Sequence, residues 1–218
     1  MNSTVVNKEI KKLVWPILKV AGFATFSSRA AWRHTGSEID VLEFQSFNKY
    51  NADVLGITTF SFAVRLGKFP LYVPPRWPPK TKNGLLLPSE SECPFRGSLQ
   101  CSMQSPAKDK TIWSVDSDGR NLSWCIQDVI KQLPGSLAWF ERLNQRGEVA
   151  RILQEDNETA ALWGFGRNPS PIRSYMIGYV ALTRGDRKLA EAKLREAVAS
   201  KCFVTLFASV DGAINRAV

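Results

Sequence analysis

Hydrophobic positions at the start of the chain follow a helical spacing. Over residues 5–21 apolar side chains recur every three or four positions, which predicts an amphipathic helix. Gly22 is placed to end this helix in a left-handed conformation. Pro16 lies inside the pattern and lacks a backbone donor, so we expect a kink there.

Three strand-like stretches follow this helix, and the third alternates cleanly over Thr58–Leu66. The pattern predicts strands over 23–33, 37–47 and 57–66, joined by a turn at 34–37 and a polar loop at 48–53. Short links between consecutive strands imply an antiparallel sheet. Because one face of the sheet is apolar, the first helix is expected to pack across it.

A proline-rich stretch then interrupts the pattern. Residues 70–79 contain five prolines, which exclude a helix or a central strand. The stretch is expected to be a stiff extended connector, and the alternative is a ligand for a proline-binding groove. Residues 85–104 can hold one or two further strands, and 111–115 a short one.

The rest of the chain has mainly helical spacing. Helices are predicted over 121–132, 137–153, 171–183, 186–200 and, as an addition, within 202–217. Breaks are expected at Leu133–Ser136 and near Gly147. The fold class is therefore α+β: an antiparallel sheet packed by helices in a domain over 1–155, followed by a helical C-terminal region over 156–218 that packs on it.

The two helices over 171–200 resemble a single tetratricopeptide-type hairpin. Gly178 and Ala190 are small residues at positions where the two helices approach each other. Ser174 stands where that repeat has a large aromatic residue, and no second copy follows. The hairpin is thus expected to be an interaction appendage, or simply a packing unit.

The formal charge of +9 is concentrated in the first third of the chain. Residues 1–83 contain 12 Lys or Arg and 5 Asp or Glu. Such an excess favours an acidic partner, either a protein face or nucleic acid, although solubility alone would also explain it. The sequence shows no apolar run of membrane-spanning length and no secretory leader, which favours a cytoplasmic protein without membrane contact.

Groups that could assemble an active site or a metal site are sparse. The four cysteines have no metal-ligand spacing, and there is one histidine, so no metal and no cofactor are expected. Gly164–Gly166 lacks the lysine of a phosphate-binding loop. We therefore predict that the protein is not an enzyme. The alternative is a catalytic base at His34 oriented by Glu38 or Asp40.

Basic and aromatic side chains provide the candidate binding residues, because these types are enriched where interfaces are strongest. They come from the predicted sheet and the proline stretch: Arg29, Trp32, Arg33, Lys49, Tyr50, Arg65, Lys68, Arg76 and Trp77.

Several motifs resemble a bacterial domain-of-unknown-function family, number 4304. They are Leu18–Phe23, Arg29, Asp40–Phe47, Phe62–Gly67, Cys93–Arg96, Ile112–Val115, the helix through Ile130 and Leu137–Phe140. The resemblance covers about residues 5–155 and implies an α+β fold. The family has no established activity, so it supplies no catalytic residues.

Two functions remain open from the sequence. The first is a non-catalytic protein-binding module, for example a bacterial immunity protein that neutralises a toxin or enzyme through a basic face. The second is nucleic-acid binding through the same basic and aromatic residues.

Overall fold

The structure is a computed structural model that describes residues 3–102, 109–155 and 169–217. The predicted connection around Trp163–Gly166 lies outside these ranges. Within them, no helix is both long enough and apolar enough to cross a membrane.

The strands form one main sheet and one small hairpin. They are β1 Thr25–Phe26, β2 Ala30–His34, β3 Glu38–Ser46, β4 Phe62–Pro70, β5 Thr81–Lys82, β6 Leu85–Leu86, β7 Phe95–Ser98 and β8 Ile112–Trp113. The main sheet has the order β1-β2-β3-β4-β7, and β8 also pairs with β4. β1 is antiparallel to β2, β8 is antiparallel to β4, and β5 pairs with β6.

Helices occur before, between and after the strands. They are α1 Ser3–Glu9, a π-helical turn Ile10–Val14, α2 Trp15–Val20, α3 Lys49–Leu55, a 3-10 turn Glu90–Glu92, α4 Leu122–Arg142, α5 Arg146–Gln154, α6 Pro171–Thr183, α7 Arg187–Ala199 and α8 Val210–Ile214. The predicted α+β class, with an antiparallel sheet and C-terminal helices, is confirmed.

The chain forms two compact units that interleave along the sequence. Unit 1 comprises Met1–His34, Asp40–Gly67 and Gly97–Trp139. Unit 2 comprises Thr35–Ile39, Lys68–Arg96 and Phe140–Val218. The division predicted at residue 155 stays a prediction.

Aromatic contacts organise the core of unit 1. Phe44 of β3 contacts Trp15 and Phe62, with ring centroids 5.8 and 5.4 Å away. Phe62 in turn stacks on Trp113 at 5.8 Å. The Trp113 indole donates to Asp128 of α4 over 2.9 Å. Trp15 belongs to α2 and Asp128 belongs to α4. Both helices therefore pack on the face of the sheet that carries Phe44, Phe62 and Trp113, which we call the helix-covered face.

The core of unit 2 is built on α6. Tyr175 stacks on Phe203 with the ring centroids 4.4 Å apart. Arg173 is fully buried, and its guanidinium donates to the carbonyls of Ile152 and Leu153 at the end of α5 over 3.3 and 2.8 Å. These bonds satisfy acceptors that the end of a helix would leave unpaired.

The first predicted helix is continuous and contains a π-helical turn, whereas the first predicted strand is divided in two. The backbone N–H of Trp15 donates to Ile10, which is the spacing of a π-helix, and Pro16 falls in the first turn of α2, where its missing donor costs little. Gly22 ends the helix at φ 89°, as predicted. The single strand predicted over 23–33 is wrong, because the Ser27 hydroxyl accepts from the backbone N–H groups of Arg29 and Ala30 and forms a turn between β1 and β2.

Three further boundaries differ from the predictions. The polar loop at 48–53 is instead mostly α3, which Asn48 caps by accepting from the Asn51 N–H over 2.8 Å. The break at Leu133–Ser136 is absent, since α4 continues through Pro134, and Ser136 bonds back to the Gln132 carbonyl over 3.1 Å. The third strand begins at Phe62 rather than 57 and reaches Pro70.

The C-terminal predictions are largely confirmed. α6 has the predicted extent, and α7 is one residue shorter than predicted at each end. Asp186 caps α7 by accepting from the Leu189 N–H over 3.0 Å. The interruption expected near Gly147 falls at residues 143–145, between α4 and α5. Of the segment 202–217, only Val210–Ile214 is α-helical.

Candidate binding surface

A basic arm, which we define as residues 75–86, is a largely exposed segment of unit 2. It begins in the proline stretch and ends in the β5–β6 hairpin, where Lys82 pairs with Leu85. Asn83 and Gly84 form the hairpin turn with φ values of 51° and 78°. Positive φ at both central residues is the requirement of a type I′ turn, and Asn-Gly is a preferred sequence for it.

The base of the basic arm is fixed to the helices of its own unit. The Tyr175 hydroxyl donates to the Pro74 carbonyl, and burial raises the pKa of this phenol. At the other end of the arm, the Leu87 N–H donates to the Lys80 carbonyl over 2.7 Å, and Pro79 is buried. Tyr175 therefore anchors the base of the arm to α6, and the Leu87–Lys80 bond extends the hairpin that closes the arm.

The side chains of the arm present positive charge beside an aromatic ring. The Arg76 guanidinium lies 4.4 Å from the centroid of the Trp77 ring, and Trp77 is 69% exposed. Lys80 and Lys82 are also exposed. The sequence from Pro70 to Ser89 contains no Asp or Glu. Among the residues that the structure describes, no carboxylate forms an ion pair with the three cations, so their charge is uncompensated.

Arg33 and Trp32 have internal roles in unit 1 instead of forming a free surface. The Arg33 guanidinium donates to the fully buried Asp40 carboxylate over 2.7 Å and to the Ala21 carbonyl over 3.2 Å. It also lies 5.4 Å from the centre of the Phe23 ring. Trp32 is 8% exposed. Arg33 thus joins the end of α2 to the helix-covered face of the sheet.

Arg65 lies on the opposite face of the sheet from Arg33. Phe62 contacts Phe44 on the helix-covered face, and side chains alternate along a strand, so Arg65 points away from that face. Its guanidinium donates to Gln45 over 3.1 Å and to the Ser98 hydroxyl over 2.5 Å. The sheet therefore does not bring Arg33 and Arg65 together.

The remaining candidates fall at separate places. Lys68 is 1% exposed, and its ammonium donates to the Phe140 carbonyl over 3.3 Å and to the Asn144 side chain. Lys49 and Tyr50 are exposed on α3 of unit 1, where the Tyr50 side chain is 75% exposed. Arg29 is half-buried directly before β2. Two adjacent pairs of the predicted residues are thus exposed, Lys49–Tyr50 and Arg76–Trp77, and in the second pair the guanidinium lies over the indole ring.

The two carboxylates considered as partners of His34 are both occupied by arginines. Asp40 pairs with Arg33 in unit 1. Glu38, which is 3% exposed, pairs with Arg146 in unit 2, and the Arg146 guanidinium lies 3.6 Å from the centre of the Tyr72 ring. Burial raises the pKa of Tyr72 to about 12. Both ion pairs are largely buried, and each joins two segments of its own unit.

The thiols are mostly enclosed. Cys93, Cys101 and Cys125 are buried, whereas Cys202 is exposed. Burial raises the pKa of Cys125 to about 12, which keeps it an unreactive thiol at neutral pH. Within the described ranges, no three His, Cys, Asp or Glu side chains cluster in a way that could hold a metal ion.

Sequence reasoning missed Lys80 and Lys82, although two signals could have found them. Acidic residues are absent from the whole stretch Pro70–Ser89, and Asn83-Gly84 is a preferred sequence for a two-residue hairpin turn. Together they predict a basic hairpin that extends the proline stretch.

Comparison with models of known protein families, with curated proteins and with solved structures gives no match to this chain. The resemblance to family 4304 stays a prediction.

Proposed function

We propose that this protein is a non-catalytic protein-binding module whose basic arm captures an acidic protein partner. The observation that carries the proposal is the exposed Arg76–Trp77 pair flanked by Lys80 and Lys82, with no acidic residue from Pro70 to Ser89. Trp and Arg are the residues that most often dominate binding energy at protein interfaces. A guanidinium stacked on an indole keeps its N–H edge free for a carboxylate.

Anchoring of the arm supports this function energetically. Tyr175 holds Pro74, and the hairpin fixes Lys82 and Leu85 opposite each other. A segment that is ordered before it binds loses less conformational entropy on association. The uncompensated cations also increase the association rate with an acidic surface. An immunity protein that covers an acidic site of a toxin or enzyme is one form of this function.

The arm favours a protein partner over single-stranded nucleic acid. Proteins that bind single strands stack successive bases on several aromatic side chains. Trp77 is the single aromatic residue of the arm, and Arg76 already covers one part of its ring. Nucleic-acid binding therefore serves as the alternative outcome of the test.

The test compares capture by two triple variants with equal charge change. The arm variant, R76E/K80E/K82E, reverses the charge of the three cations on the basic arm. The control variant, K131E/K188E/R195E, reverses the charge of three exposed cations on α4 and α7. Tagged proteins are incubated with lysate of the native source, with and without nuclease, and partners are identified by mass spectrometry and then titrated in purified form.

We expect one stoichiometric protein partner that survives nuclease, binds the control variant and is lost from the arm variant. W77A should weaken the purified complex by about tenfold or more, as for an interface hot spot. Equal binding by the arm variant would refute the proposal. Recovery of nucleic acid, with the protein partners lost after nuclease, would establish the alternative.

A further inference from the structure

The outer edge of β5, on the basic arm, carries backbone groups that the hairpin does not use. Thr81 lies opposite Leu86, and Lys82 lies opposite Leu85. The next pair outward is hydrogen-bonded, because the Leu87 N–H donates to the Lys80 carbonyl over 2.7 Å. Bonded and non-bonded pairs alternate along an antiparallel ladder. The N–H and C=O of Thr81 therefore point away from β6.

This edge is open in the part of the chain that the structure describes. Lys80, Thr81 and Lys82 are all exposed. Among the described strands, β5 pairs with β6 alone. An open strand edge is a template on which an extended peptide adds through main-chain hydrogen bonds. Thr81 thus offers one donor and one acceptor to such a peptide.

The side chains of β5 select the charge of the peptide that can add. Side chains alternate along a strand, so Lys80 and Lys82 lie on one face of the hairpin and Thr81 on the other. Opposite charges on directly facing strands stabilise their pairing, and like charges destabilise it. A second copy of this chain would set the same lysines against each other. The strand that fits has Asp or Glu at alternate positions.

We propose that the acidic partner binds the edge of β5 as an added β-strand whose alternate carboxylates face Lys80 and Lys82. This inference rests on the proposed function of the basic arm and specifies how the partner is held. Main-chain bonds to Thr81 fix the register, and the two lysines provide the specificity. Pro79 is the next residue whose N–H would point outward, and it has none. The pairing is therefore confined to a few residues around Thr81.

The test measures binding of synthetic peptides to the full chain by isothermal titration calorimetry. The probe is a short, end-blocked peptide of alternating glutamate and valine. Two modified forms keep its sequence and charge and are N-methylated either on the valines or on the glutamates. Alternate N–H groups of a strand face the same side, so each modification blocks one edge of the peptide and leaves the other edge intact.

Two substitutions at Thr81 give a matched comparison on the protein. Thr81→Pro removes the outward N–H, and proline is tolerated where the N–H of an edge strand faces solvent. Thr81→Val keeps the N–H and the branched side chain. The arm variant, R76E/K80E/K82E, tests the contribution of charge. The N-methylated peptides address the same hydrogen bonds without changing the protein, so the test does not depend on the fold of T81P.

We expect the unmodified peptide to bind the wild type and T81V equally. T81P should weaken binding by about fivefold, as for the loss of one hydrogen bond, and the arm variant should not bind. One N-methylated peptide should lose about fivefold or more in affinity, and the other should bind like the unmodified peptide. A loss with methylated valines indicates antiparallel addition, and a loss with methylated glutamates indicates parallel addition.

Equal affinity of the two N-methylated peptides, or no binding of the unmodified peptide, would overturn the strand addition. The proposed function would survive either result if the arm variant still loses the captured protein partner. Equal binding of the acidic peptide by the arm variant and the wild type would refute the proposed function and the strand addition together.

Discussion

Gly178 is a point of close packing between α6 and α7 in unit 2. A Cβ atom built on Gly178 would lie 2.7 Å from both Cγ and Cδ2 of Leu194, whereas ordinary contact begins at 3.4 Å. Leu194 is completely buried, so it has little room to move. We predict that Gly178→Ala destabilises the protein, although alanine is the better helix former.

The magnitude follows from two opposing effects. Alanine in a helix interior is favoured over glycine by about 1 kcal/mol. Overpacking of a filled core costs about 1–3 kcal/mol. The expected net loss for G178A is thus about 0–2 kcal/mol. Leu194→Ala alone should cost about 2–5 kcal/mol through lost burial and the cavity that it leaves.

The double variant gives the decisive comparison. Once Leu194 is truncated, the new methyl group at position 178 occupies space that the leucine has left. G178A should then stabilise the L194A protein by about 1 kcal/mol, so that the sign of the substitution reverses.

Free energies of unfolding are measured by urea titration with far-UV circular dichroism. Gly135→Ala in α4 is the matched control, because its Cβ would meet nothing within 4 Å. It should stabilise by about 1 kcal/mol in either background. If G178A has the same sign with and without Leu194, the close approach inferred from the structure is wrong.

Three further predictions concern single groups. A thiol reagent at pH 8 should label Cys202 rapidly and the three buried cysteines only on unfolding, as mass spectrometry of the labelled peptides will show. Burial raises the pKa of Tyr72 from 10 to about 12. The stability that the protonated phenol contributes is therefore present below pH 10 and is lost as the pH rises through 12. At pH 11 the Tyr72→Phe variant should lose about 1 kcal/mol less of its free energy of unfolding than the wild type does. Arg173→Met should destabilise by about 3 kcal/mol, because it leaves helix-end carbonyls buried without donors, and urea unfolding will measure it; a loss below about 1 kcal/mol would contradict the role given to these bonds.

The sequence determined those elements whose signals are local. Gly22 ends the first helix, and Asp186 caps α7, because each acts on backbone groups within a few residues of itself. The alternation over Thr58–Leu66, which predicted the strand that contains the first half of β4, required no knowledge of its partners. For the same reason, the small residue at position 178 could be read as a point of helix contact.

Tertiary structure decided which cations are free. Lys68 bonds to Asn144, 76 positions away, and Arg33 is matched by Asp40 on the neighbouring strand. In the sequence these residues are indistinguishable from Arg76, which remains exposed on the basic arm. Exposure and pairing depend on what distant segments bring to a side chain, and those segments meet only when the chain folds.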